Sequence, residues 1–88
     1  MENIEKTWFV YMLQCGDGSL YTGITDDVQR RLAAHRSGKG AKYTRGRGPL
    51  MLVYQERCDS KSHALHRESN IKSMTRLEKL RLIREDKE

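Results

Sequence analysis

Long apolar runs are missing from this chain of 88 residues: no stretch approaches the ~20 residues that cross a bilayer. The opening residues MENIEKTW carry acids and lack the apolar segment of a signal peptide, so the chain is expected to stay in the cytoplasm, away from membranes. Cysteine is scarce as well. Cys15 and Cys58 stand apart, without CxxC spacing, and read as free thiols rather than as a disulfide or a metal site. There is one proline, and no internal repeat, low-complexity tract or linker divides the sequence. With 36% hydrophobic residues this excludes a multidomain chain and leaves one modest core.

Positive charge is what the sequence has in excess. Seventeen Lys and Arg face twelve Asp and Glu, a net charge of +5, which favours polyanionic partners. The excess is local: Arg36, Lys39, Lys42, Arg45 and Arg47 fall in one stretch without an acid, while the last four residues, EDKE, are mostly acidic. A merely soluble basic surface is the plainer alternative.

The segment TWFVYML, Thr7 to Leu13, is rich in aromatic and β-branched residues and predicts a strand. GDG at 16 to 18 supplies a turn that needs positive φ, and SLYTGI then completes a β-hairpin. At TDDVQRRLAAHRSG the period changes to a helical one. Asp26 is expected to cap, with Gln29 three residues on, and Val28, Leu32 and Ala33 recur at helical spacing up to Gly38. GKGAKYTRGRGP holds four of the seven glycines and the only proline, and is expected to be a long, basic, mobile loop. LMLVYQE predicts a third strand. A second helix is expected from Asp59 or Ser60, and TRLE at 75 to 78 is a capping box that starts a third. The order ββαβαα implies an α+β domain, a small three-stranded sheet flanked by helices, with its core at about residues 7–84.

Three polar residues fall on the wrong faces. Arg31 and His35 lie on the stripe set by Val28 and Leu32, and Glu68 sits four residues after Ala64 and three before Ile71. An unpaired carboxylate there costs several kcal/mol. One explanation is structural, an Arg31 to Glu68 salt bridge with His35 half exposed at the helix end. The other is a cleft that collects a carboxylate, an arginine, a histidine and the phenols of Tyr11 and Tyr21, the parts needed for metal-assisted phosphodiester cleavage. A hard cation takes oxygen ligands and keeps several waters, so one carboxylate, Glu68, together with substrate phosphate oxygens can hold one during turnover. The planar fork of Arg31 suits a phosphate and the added charge of its transition state. A phenol is a poor base unaided, but a metal and nearby cations favour its ionised form, which lets Tyr11 deprotonate water.

The order of these residues resembles the GIY-YIG endonuclease superfamily, and most closely its small stand-alone bacterial members, over about Thr7 to Arg84. The first motif falls on Val10-Tyr11-Met12 and the second on Tyr21-Thr22-Gly23; Val10 and Thr22 depart from the motif letters, but neither side chain does chemistry. Arg31 stands ten residues after Tyr21, His35 one helical turn later, and Glu68 in the helix after the third strand matches the family's metal ligand. The resemblance implies a metal-dependent endonuclease with catalytic residues Tyr11, Tyr21, Arg31, His35 and Glu68. One divalent cation, Mg²⁺ or Mn²⁺, would sit on Glu68, and products would carry a 5′-phosphate and a 3′-hydroxyl. It also implies a Gly23 that lets the backbone pass close to the site, where alanine would crowd it. DNA is the expected partner and DNA repair the expected setting, with Arg36, Lys39, Lys42, Tyr43, Arg45, Arg47 and Lys72 as contacts; Lys79 is a further candidate. Two other classes stay open: a nucleic-acid-binding module that cleaves nothing and works with a protein partner, and a protein-interaction domain in which Arg31 and Glu68 are only structural.

Overall fold

Alternation in the first strand builds the molecule from its centre. In the computed structural model, which describes residues 7–86, β1 (Trp8–Gln14) pairs antiparallel with β2 (Leu20–Thr25) on one side and β3 (Met51–Cys58) on the other, giving the order β2-β1-β3. The amino-terminal stretch read above for targeting, residues 1–6, and the last two residues of the acidic tail lie outside the described part. A central strand is covered on both faces, and Val10, Tyr11, Met12 and Leu13 are all 1% exposed or less.

Val10 and Met12 point into the larger cluster, with Val53, Tyr54, Cys58, Ala64 and Ile71. Helix α2 (Lys61–Lys72) closes that face, and Leu82 and Ile83 of α3 (Arg76–Asp86) pack against it. Tyr11 and Leu13 point the other way, toward Leu32 of α1 (Val28–Arg36), with Tyr21 and Leu52 at the margin. The expected α+β arrangement and its ββαβαα order are present, and both cysteines are buried and free. Among the described residues no helix is long and apolar enough to cross a membrane.

Caps and turns explain most boundaries. Gly18 takes φ +85° in the hairpin turn, its N–H on the Cys15 carbonyl at 2.9 Å, and Asp17 Oδ1 accepts from the Ser19 N–H (3.0 Å) and hydroxyl (2.6 Å). Ser60 caps α2, accepting the His63 N–H at 3.0 Å. Thr75 and Glu78 form the expected reciprocal box at 2.8 and 3.2 Å.

Three expectations are corrected. The cap of α1 is Asp27, which accepts the Arg30 N–H at 3.0 Å, while Asp26 reaches the Arg30 guanidinium at 3.0 Å. Thr25 Oγ1, at the end of β2, takes the Asp27 N–H (3.1 Å), and the chain turns helical only after it. Ala33 is exposed; the third buried residue of the α1 stripe is His35. The basic segment is no loose loop either. It contains a 3-10 turn, Lys42–Thr44, and is tied to the hairpin turn, where the Gly16 N–H donates to the Arg47 carbonyl and the Arg47 guanidinium to Asp17 Oδ2 at 2.6 Å; across its two ends the Arg36 guanidinium of α1 donates twice to the Leu50 carbonyl at 2.9 and 3.2 Å.

Candidate active site

Tyr11 pairs across the ladder with Gly23, so its phenol lies over a residue without a side chain. A Cβ added to Gly23 would stand 2.7 Å from Tyr11 Oη and 3.1 Å from Tyr21 Cε2, which no packing tolerates without a shift. From there Tyr11 Oη reaches His35 Nε2 at 2.7 Å, a buried hydrogen bond between β1 and α1. Tyr21 closes the group, its ring edge-on to His35 with centroids 5.3 Å apart and 6.3 Å from Tyr11.

Charge around this pair is unevenly placed. Burial pushes the Tyr11 phenol up to about 12; the Arg31 side chain, a hydrogen-bonding and charged neighbour, pulls it back, while Tyr21 and the Glu68 carboxylate push it further up. Burial, and then the charge of Arg31, hold His35 below its usual value, so the ring is neutral at pH 7. Tyr11, Tyr21, Arg31 and His35 thus meet on one side of the sheet, within reach of the charge of Glu68.

Both parts of the purely structural explanation fail. Among the described residues Glu68 pairs with Lys72, Nζ to Oε2 3.3 Å, and not with Arg31. His35 is 2% exposed instead of half exposed. No three His, Cys, Asp or Glu side chains among the described residues converge on one point, so a cation would rest on Glu68 together with water and substrate oxygens. The donor set fits such an ion: a hard carboxylate, one-fifth exposed, already has an ammonium beside Oε2.

The nucleic-acid candidates divide. Lys39, Lys42 and Arg45 are exposed. Arg36 and Arg47 spend their guanidinium groups on Leu50 and Asp17. Tyr43 stacks on Tyr21, with centroids 5.8 Å apart and planes at 28°, and the Arg47 guanidinium lies 4.4 Å from the centre of the Tyr43 ring. Lys72 and Lys79 line a recess of about 240 Å³ with Leu20, Tyr21, Thr22 and Tyr43, at the outer edge of β2. Thr22 Oγ1 is buried there, with no hydrogen-bond partner among the described residues.

Sequence reading missed the residues behind His35. Nδ1 lies 2.9 Å from Thr44 Oγ1 and takes the Ala41 N–H at 3.3 Å, and Gly40 passes so near that a Cβ there would clash with the ring. None carries a motif; the one trace is a glycine without a turn to explain it.

The arrangement offers a phenol oxygen bonded to an imidazole, an arginine beside it and, farther off, a carboxylate of the kind a hard cation takes. Comparison with known proteins agrees. Residues 7–81 match the family model of the GIY-YIG catalytic domain. A UPF0213 protein of Staphylococcus aureus is 57% identical over 77 residues, covering 88% of this chain and 94% of its own. One from the archaeon Natronomonas pharaonis is 55% identical over 78 residues, covering 89% and 92%. The solution structure of a UPF0213 protein from Bacillus halodurans superposes with a TM-score of 0.57 at 51% identity, over 88% of this chain and 82% of that one. A second solution structure, of a protein from E. faecalis, gives 0.63 at 40% identity, over 96% and 88%.

Proposed function

The chain belongs to the GIY-YIG family, and from that premise we propose that it is an endonuclease that hydrolyses DNA phosphodiester bonds with a divalent cation. The observation that carries this reading is the Tyr11 phenol, held over Gly23 at 2.7 Å from His35 with Arg31 beside it. A buried phenol of a merely structural kind needs no cationic neighbour.

Tyr11 takes the proton of the attacking water. Arg31 binds the scissile phosphate and meets the charge that grows on its oxygens, where a fixed guanidinium is worth more than water because the site is largely dry. Tyr21 walls the site beside Tyr11 and His35 and orients water or phosphate. Glu68 would hold Mg²⁺ or Mn²⁺, which when bound supplies Lewis-acid charge to the phosphate oxygens. Lys72 would leave Glu68 as the cation arrives and turn to the phosphate backbone with Lys79. Lys39, Lys42 and Arg45 would contact flanking phosphates, each neutralised one adding about −0.9 to the salt slope on duplex DNA.

The test is incubation of labelled single-stranded, duplex and branched DNA with Mg²⁺, Mn²⁺ or EDTA, beside Glu68→Ala. Cleavage should need the metal and vanish in the variant while binding persists; a variant that cuts normally removes Glu68 as the ligand. One observation favours a second reading, a binding module that does no chemistry and works with a protein partner. The Lys72 ammonium already neutralises Glu68, so DNA can approach without a metal. Binding with no cleavage under any metal would decide for it.

A further inference from the structure

Both ring nitrogens of His35 are engaged inside the protein. Nε2 faces Tyr11 Oη at 2.7 Å; Nδ1 faces Thr44 Oγ1 at 2.9 Å and the Ala41 N–H at 3.3 Å. A backbone N–H only donates, so Nδ1 must present its lone pair. The Thr44 hydroxyl lies 2.9 Å from both Nδ1 and the Ala41 carbonyl. Donating to Nδ1 satisfies everything, because the Ala41 carbonyl keeps the Thr44 backbone N–H at 3.1 Å. The reverse assignment would set a ring N–H against a backbone N–H in a buried place. A neutral imidazole has one proton; with Nδ1 accepting, that proton is on Nε2, and Nε2–H donates to the phenol oxygen of Tyr11.

The lock depends on a close approach. A Cβ at Gly40 would come within 2.7 Å of His35 Cα and Cγ and closer still to Nδ1, so only glycine lets the chain bring the Ala41 N–H to the ring. A second proton on Nδ1 would face the Ala41 N–H, a fixed donor, and burial and Arg31 already disfavour the charged ring.

We infer that His35 serves Tyr11 as a fixed hydrogen-bond donor rather than as its base, and that Gly40, Ala41 and Thr44 are positioning residues that hold the ring in the Nε2–H tautomer. The phenol proton then cannot pass to His35. In each turnover the Tyr11 O–H bond breaks with its proton going to water admitted with the substrate. The phenolate, held by donors from His35 and Arg31, then takes one proton from the attacking water as the new O–P bond forms and the bond from phosphorus to the departing 3′ oxygen breaks; that oxygen leaves as the 3′-hydroxyl with the proton first given to water, and the phenol is restored. The tautomer is a property of the protein alone; only its use in turnover rests on the nuclease reading.

The test is NMR of the ¹⁵N-labelled protein at neutral pH, correlating the carbon-bound ring protons of His35 with both nitrogens, and assigned against His63 and His66 with His35→Asn. The expected spectrum has Nε2 in the protonated, pyrrole-type range and Nδ1 in the unprotonated, pyridine-type range. The opposite pattern, a doubly protonated ring or an averaged signal would overturn the inference, whether or not the protein cuts DNA. Thr44→Val keeps the shape and removes one donor to Nδ1: it should move the Nδ1 signal and, on any DNA the protein cleaves, lower kcat about 10-fold with KM unchanged, as loss of an orienting partner does. Thr44→Ser should restore both. A Thr44→Val spectrum identical to wild type would remove Thr44 from the lock.

Discussion

Tyr11 and Tyr54 occupy opposite faces of one small sheet, and burial lifts both phenols to about 12. Each has an arginine and a glutamate near it, but the hydrogen-bond partner that counts most differs. Tyr54 donates to Glu56 Oε1 at 2.5 Å, and the bidentate fork of Arg67 holds that carboxylate at 2.8 and 2.9 Å. A carboxylate acceptor makes the phenol proton harder to lose, so Tyr54 is a strut. Tyr11 has donors about its oxygen, which stabilise the phenolate once the proton is gone. Both phenols are held protonated by burial, and the difference between them lies in the leading hydrogen-bond partner, Arg31 at Tyr11 and the Glu56 carboxylate at Tyr54.

Substituting the two hydroxyls breaks the comparison most sharply. Tyr11→Phe should lower cleavage by about 10²–10⁴-fold, the usual share of a positioned acid or base, and cost about 1–3 kcal/mol because His35 Nε2 is left buried without its partner. Tyr54→Phe should leave the rate near wild type and cost roughly 1.5–3 kcal/mol, the worth of a hydrogen bond to a charged group, less some solvent screening because Glu56 is one-quarter exposed. Reversed effects on the rate would mean that the faces have been assigned the wrong way round.

Packing should separate the faces next. Ile71→Ala, at a fully buried site under α2, should lose about 2–5 kcal/mol by urea unfolding without changing kcat at temperatures where the protein stays folded. Gly23→Ala should cost less, about 1–3 kcal/mol of overpacking, yet strike activity harder because the new methyl displaces Tyr11 Oη. An active Gly23→Ala protein would show that the phenol need not stay where it is.

A pH series sharpens the contrast with a smaller effect. Burial alone would raise the Glu56 carboxyl, but the hydrogen bonds from Arg67 and Tyr54 outweigh it and hold the pKa below 4.5. A depressed pKa contributes stability above the unfolded value and loses it as pH falls through the folded one. The wild-type urea midpoint should therefore drop on the acid side of 4.5, and Glu56→Gln should flatten that part of the curve. Thr75→Ala, which removes only the cap of α3, should cost about 0.5–2 kcal/mol and leave both tyrosines as they were.

How much of this was legible in the sequence follows from the range of each signal. Hairpin, capping box and strand alternation are written within a few residues, and each appears where it was expected. The meeting of Tyr11 with Arg31, His35 and Glu68 had to be taken from a family resemblance, because spacing along the chain does not say which faces adjoin. The cap slipped by one residue because adjoining aspartates are equivalent locally, and the Thr25 hydroxyl decided between them. The ordering of the basic segment, the Lys72 to Glu68 pair and the clamp behind His35 depend on contacts that no local pattern encodes.

Gly16 and Asp17 at the hairpin tip hold Arg47, thirty positions on from Asp17. A hairpin closes from local contacts, whereas the contact of its tip with Arg47 joins residues thirty positions apart and ties the segment from Gly38 to Pro49 to it. The clamp on His35 belongs to that segment. The contacts behind His35 are thus anchored, through Arg47, to the tip of the same hairpin that carries Tyr11 and Tyr21.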